Sequence, residues 1–155
     1  MAEAVTDINS LMAIFREMHE SLPFNRLLGL KVEYLRTDGA GFSFTMKDDL
    51  VGNPIHGILH GGVISAVLDA TGGMTITASA MGRMQGLSPE EIVRRLSRMG
   101  TIDIRIDYLR PGKGTRFTST GTIMRAGNKV AVTRMELRNQ DDVLIAVGTG
   151  AYMIG

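Results

Sequence analysis

The sequence predicts an α+β domain, an antiparallel sheet of about six strands wrapped around one long apolar helix. Three observations carry this. From Gly61 to Gly82 the only ionisable side chain is Asp69, and Val63, Ile64, Val67, Leu68, Met74, Ile76 and Met81 leave no polar face, which marks a buried helix. Two alternating segments precede that helix and four strand-like segments follow it. One small sheet cannot cover a helix on every side, so the open side calls for a second copy of the chain, with the helices in contact.

The elements follow in order. Residues 6–19 carry Ile8, Leu11, Met12, Phe15 and Met18 at helical spacing, with Thr6 or Asp7 as N-cap. Pro23 stops this helix, and Phe24, Leu27 and Leu28 add one turn before Gly29. Leu30, Val32 and Tyr34 alternate, Asp38-Gly39 turns the chain, and Phe42, Phe44 and Met46 mark the return strand. Residues 47–58 read as a loop, and the apolar helix fills 62–81. Ser88-Pro89-Glu90-Glu91 opens a short helix with a capping box, and Gly100 ends it. In 101–109, Ile102, Ile104, Ile106 and Tyr108 are expected to face inward, and Asp103, Arg105 and Asp107 outward. Strands over 116–125 and 130–138 flank the Gly127-Asn128 turn, and the apolar strand 143–153 reads as central. The expected organisation is one domain over 1–155, with an N-terminal helical segment at 1–28 and an inserted helix at 86–99.

Bulk properties narrow the function. With 155 residues, 44% hydrophobic and 21% charged, the chain can bury a real core. A net charge of +1 with no basic stripe gives no footing for nucleic acid. The absence of cysteine excludes disulfides, thiolate metal sites and a thiol nucleophile. Glu3, Asp7, Arg16 and Glu17 break any leader-like pattern. Asp69 interrupts the best candidate for the ~18–20 apolar residues of a membrane span. The expectation is a cytoplasmic protein without a membrane partner.

Asn53, Leu59-His60-Gly61-Gly62, Leu68-Asp69, Thr101-Ile102-Asp103, Tyr108-Leu109-Arg110-Pro111-Gly112 and Ala146-Val147-Gly148-Thr149-Gly150 carry a resemblance. Together they resemble the hotdog-fold acyl-CoA thioesterases of the phenylacetate-pathway type, over residues 28–153. Gly57 to Gly62 and Arg125 to Asn128 look closest to bacterial medium- and long-chain acyl-CoA thioesterases. The resemblance implies a hotdog fold and hydrolysis of an acyl-CoA, with a medium, long or aromatic acyl group, in fatty acid metabolism. It implies no cofactor, and a homodimer or tetramer. The Gly62 N–H would meet the thioester oxygen. Asp69 would be the general base for water, or the nucleophile that forms a transient anhydride. The Thr101 hydroxyl would hold the water, and His60 and Asn53 would orient substrate or water. Asn53 lies one residue farther from His60 than in relatives with an Asn here, with His56 between them.

Elementary chemistry agrees at several points. N–H groups at a helix start are unsatisfied and favour developing negative charge. Gly61 and Gly62 let a substrate approach the backbone. A lone carboxylate in an apolar helix is costly unless it is paired or used. Burial would raise its pKa and hydrogen bonds would lower it, and the sequence leaves the balance open. On one ideal helix the nine residues from His60 to Asp69 rise about 13.5 Å and turn about 180°. If both act on one thioester, Asp69 must come from a second protomer. Arg110, Lys113, Arg125 and Lys129 flank two turns, where they would grip coenzyme A phosphates or simply be solvated. A metal held by His56, His60 and Asp69 is disfavoured by spacing. Two other readings keep the fold: an acyl-CoA hydratase or dehydratase, which needs a second acid or base, and a non-catalytic acyl-CoA-binding module.

Overall fold

A computed structural model describes residues 7–155. Helix α1 (Ile8–Ser21) opens on Asp7, whose Oδ1 accepts from the Asn9 N–H at 2.7 Å. Thr6, the other candidate cap, lies outside the described residues. Helix α2 (Pro23–Leu28) carries its proline at the first position and ends on Gly29, whose φ of 74° is left-handed. Strands β1 (Lys31–Arg36) and β2 (Gly39–Thr45) form a hairpin. The segment read as a loop holds a single 3₁₀ turn (Asp48–Leu50) and a small ribbon of β3 (Val51–Asn53) and β4 (Ile58–Leu59). These runs are too short to show a sequence period. Then come α3 (Gly61–Met81), α4 (Pro89–Leu96), β5 (Gly100–Tyr108), β6 (Arg116–Ala126), β7 (Val130–Asn139) and β8 (Leu144–Met153). Ser88 and Glu91 form the full capping box at the start of α4.

Six strands make one antiparallel sheet in the order β1-β2-β6-β7-β8-β5. α3 lies across it. Its Ile64, Val67, Leu68 and Met74 pack into a core with Phe42, Phe44, Phe117 and Leu137, where the rings of Phe44 and Phe117 stack at 5.1 Å. A Cβ at Gly121 on β6 would stand 2.3 Å from the Thr75 Oγ1, so glycine lets helix and sheet close up there. Farther along, Ala78 and Met81 meet Leu11 and Phe15 of α1 and Ile92 of α4 in a second core cluster.

Two expectations need correction. α3 is long and apolar enough to cross a membrane by length and composition, even with Asp69, but most of it is buried within the fold. Nor is it buried all round. Gly62 is exposed and Val63, Ala66, Asp69, Ala70 and Gly73 are half-buried, a stripe at helical spacing that the sheet does not cover.

The inward row of β5 also differs. Ile104 and Ile106 pack against the core, but Ile102 and Tyr108 are 52% and 54% exposed. β5 is an edge strand, and its pairing with β8 slips between Thr101 and Asp103. Thr101 faces Tyr152 and Asp103 faces Ala151, so Ile102 is an extra, bulged residue.

Candidate active site

That bulge builds the centre of the site. Residues paired across a ladder share a face. With Ile104 on the helix side, strict alternation would turn Thr101 away from α3. The extra residue restores Thr101 to the face of its partner Tyr152, which is buried toward α3. The Thr101 hydroxyl then donates to Asp69 Oδ1 at 2.9 Å. The Tyr152 hydroxyl donates to the same oxygen, and to the Asp69 carbonyl, at 3.3 Å each. Neither side-chain bond uses Oδ2.

Tyr152 has no place among the residues that the sequence singles out. Burial, then the negative charge of Asp69, push its phenol well above the ordinary range, so it stays a donor. Two glycines make room for it. A Cβ at Gly72 would stand 2.0 Å from its hydroxyl oxygen, and one at Gly150 would stand 2.7 Å from its ring. The available signal was a tyrosine in an apolar interior strand, two residues after a glycine on the same face, because a buried phenol needs a partner.

The start of α3 is built differently. His60 is the N-cap, and its Nδ1 accepts from the Gly62 N–H at 2.8 Å. The Val63 and Ile64 N–H groups bond to the His60 carbonyl. Thus the donor assigned to the thioester oxygen is held by the imidazole in this state. Gly52 lets the β3–β4 ribbon close on His60, since a Cβ there would stand 2.4 Å from its Cα. The Tyr108 hydroxyl donates to the Gly61 carbonyl at 3.1 Å, and the Leu59 N–H donates to the Gly112 carbonyl at 3.0 Å. The Tyr108–Gly112 turn therefore clamps the helix start.

Gly62 and Asp69 share the uncovered stripe of α3, being seven residues apart, so the angular separation that holds for His60 does not hold for Gly62. Their axial separation remains, about 10.5 Å at helical rise.

The other candidates scatter. Asn53 makes a turn, with its Oδ1 accepting from the Ile55 N–H at 3.0 Å and its carbonyl from the His56 and Gly57 N–H groups. His56, Arg110 and Lys113 line one open cleft of about 640 Å³ beside that turn. Arg125 and Lys129 belong to the β6–β7 hairpin, whose Gly127 carbonyl accepts from Arg83 just beyond the C-terminal end of α3. They lie away from the Arg110–Lys113 cleft, which adjoins the other end. His56, His60 and Asp69 do not converge, and no cluster of three or more His, Asp or Glu residues that could hold a metal occurs among the described residues.

Two cavities adjoin the two halves. One of about 400 Å³ is lined by His60, Gly62, Phe24, Leu27, Val63 and Ala66, among others. The other, of about 410 Å³, has Thr101 and Tyr152 in its wall and runs between α1, α3 and α4. His19 of α1 also lines it. The imidazole is buried, its Nε2 has no hydrogen-bond partner among the described residues, and burial pushes its pKa down to about 4.

A carboxylate held by two hydroxyls and a glycine-rich helix start thus share one uncovered stripe of α3. The thioesterase superfamily profile matches residues 56–146, and this chain belongs to that superfamily. It is similar to the medium/long-chain acyl-CoA thioesterase YigI of Salmonella typhimurium, with 45% identity over 155 residues covering 100% of both chains. A solved Shewanella oneidensis protein related to the thioesterase superfamily matches with 44% identity and a TM-score of 0.90, covering 96% of this chain and 97% of that one. The Escherichia coli PaaI protein from the phenylacetic acid degradation operon shares the fold, with a TM-score of 0.74 at 19% identity, covering 98% of this chain and 96% of that one. The chain is a hotdog-fold thioester hydrolase.

Proposed function

We propose that this enzyme hydrolyses acyl-CoA thioesters with medium or long acyl chains to the free acid and coenzyme A, with Asp69 as the group that activates water. The observation that carries this is the Asp69 carboxylate, half-buried on the open stripe of α3, with Oδ1 fixed by Thr101 and Tyr152. The full-length relative at 45% identity, named for medium- and long-chain acyl-CoA, supports the substrate class.

Thr101 donates its proton to Asp69, which leaves its oxygen lone pairs to accept from a water. That water passes a proton to Oδ2 as its oxygen adds to the thioester carbon. Negative charge gathers on the carbonyl oxygen, which takes the Gly62 N–H from the His60 imidazole at the positive end of α3. Collapse breaks the carbon–sulfur bond, and the coenzyme A thiolate recovers the proton from Asp69. His60, released from its cap, and Asn53 orient the substrate. Gly61 keeps the approach open, while Arg110 and Lys113, with His56, meet the phosphates. Arg125 and Lys129 reach coenzyme A only across a subunit boundary.

The site belongs to a homodimer. About 10.5 Å separates Gly62 from Asp69 in one protomer, too far for one thioester carbon, which needs both groups within about 3–3.5 Å of the reacting atoms. Antiparallel packing of two open α3 stripes brings Gly62 of one chain to Asp69 of the other. The exposed edge strand β5, with Ile102 and Tyr108, offers a second contact.

The test is release of free coenzyme A from an acyl-CoA series. Asp69→Asn is expected to lower kcat by about 10²–10⁴-fold, with the dimer intact by light scattering. Wild-type rates in that variant would remove Asp69 from the mechanism.

A further inference from the structure

Two adjacent glycines follow Asp69 on α3, and they do opposite things. Gly72 is required by the fold, because any Cβ there would push the Tyr152 hydroxyl off Asp69. Gly73 is not. Its backbone is right-handed, and a Cβ built on it meets nothing within 4 Å. Glycine inside a helix is less favourable than alanine. A helical position with free space therefore leaves glycine unexplained by anything in the protomer.

The space has a definite place. Gly73 lies four residues beyond Asp69 on the same uncovered stripe, and it lines the cavity of about 410 Å³ between α1, α3 and α4. Gly100, next to Thr101 at the start of β5, also lines that cavity, and its Cβ position is equally empty. Thr101 and Tyr152 belong both to the wall and to the hydrogen bonds on Asp69, so the carboxylate adjoins the cavity.

The rest of the wall is mainly aliphatic, from Met18, Leu22, Leu96 and Met99. Flexible methionines adapt to a chain that slides. The Thr77 hydroxyl in the wall is spent on the Gly73 carbonyl at 2.9 Å.

We propose that Gly73 is the threshold of the acyl-chain cavity and a determinant of chain-length specificity. An unbranched aliphatic chain leaves the carbonyl beside Asp69, crosses Gly73 where a side chain would stand, and ends against α1 and α4. This rests on the thioesterase reading above. The rival occupant of the same space is the second protomer.

The experiment compares kcat/KM for a saturated acyl-CoA series, short to long, in the wild-type protein, Gly73→Ala and Gly73→Leu. Melting temperature and light scattering accompany each. Gly73→Leu is expected to lower the long-to-short ratio of kcat/KM by about tenfold or more, chiefly through KM. Gly73→Ala is expected to lower it less and to melt no lower than wild type. Where the leucine variant does not fold, the alanine variant decides on the same ratio. An unchanged ratio, a loss uniform across chain lengths, or a dissociated dimer overturns the proposal while the thioesterase reading stands. A wild-type protein that releases coenzyme A from no member of the series removes both.

Discussion

The two halves of the candidate site lie on one helix but are made in different ways. The His60–Gly62 half is backbone chemistry: an exposed helix start, two glycines, and a cap that occupies the N–H it would lend to substrate. The Asp69 half is side-chain chemistry: a half-buried carboxylate whose partners come from β5 and β8, 32 and 83 residues away in sequence. The first half depends on local clamps, Gly52 and the Tyr108–Gly112 turn. The second depends on sheet register and on α1 and α4 closing the cavity. A site can thus have one half sensitive to local geometry and another sensitive to tertiary packing.

Perturbations that touch only one half sharpen this contrast. The largest after loss of Asp69 itself concerns acid. His19 is buried in the cavity wall on the Asp69 side, and its folded pKa of about 4 lies below the ordinary 6.5. The unfolded chain therefore binds a proton that the folded one refuses between those values. Stability is full above pH 6.5 and falls as pH drops toward 4, by about 3 kcal/mol in all. Thermal melts of the wild-type protein are expected to show this fall, and His19→Leu to flatten it. An identical acid profile in the variant would place the loss elsewhere.

Smaller effects belong to the hydroxyls on Asp69. Thr101→Val removes a 2.9 Å bond to a carboxylate at nearly constant volume, and kcat/KM is expected to drop by about ten- to a hundredfold. Thr101→Ser should keep most of the rate. The Tyr152 bonds are longer at 3.3 Å, and Tyr152→Phe is expected to cost only a few-fold, on the order of 1 kcal/mol. A valine variant that keeps the rate while the serine variant loses it would mean that the Thr101 methyl, not its hydroxyl, is what matters.

The same contrast explains what was legible in the sequence. The apolar run of α3, the capping box at Ser88, the Gly127-Asn128 turn and the strand alternations are local patterns, and each produced its element. The helix start at His60-Gly61-Gly62 was legible for the same reason. The Ile102 bulge was not, because a bulge exists only relative to the strand it pairs with. Simple alternation therefore placed Ile102 inside, although it is exposed; Tyr108 keeps the face of Ile104 and Ile106 but is exposed at the end of an edge strand. The Tyr152 contact was hidden likewise, since it needs the space left by Gly72 on a different element. Asp69 stood out as a lone carboxylate, but its place on an open stripe depends on how far the sheet wraps the helix.

The most direct test asks whether the two halves come from different protomers. Asp69→Asn and Gly62→Pro each disable one half, the proline removing the N–H in the first helical turn, where the ring is tolerated. Each variant alone is expected to be nearly inactive while dimeric. Unfolded and refolded together in equal amounts, they form mixed dimers that carry one site with both halves intact. Coenzyme A release should return to about a quarter of the wild-type rate, because half of the dimers are mixed and each has one working site of two. A mixture that stays as inactive as its parents, with mixed dimers demonstrably formed, would contradict a site shared between protomers.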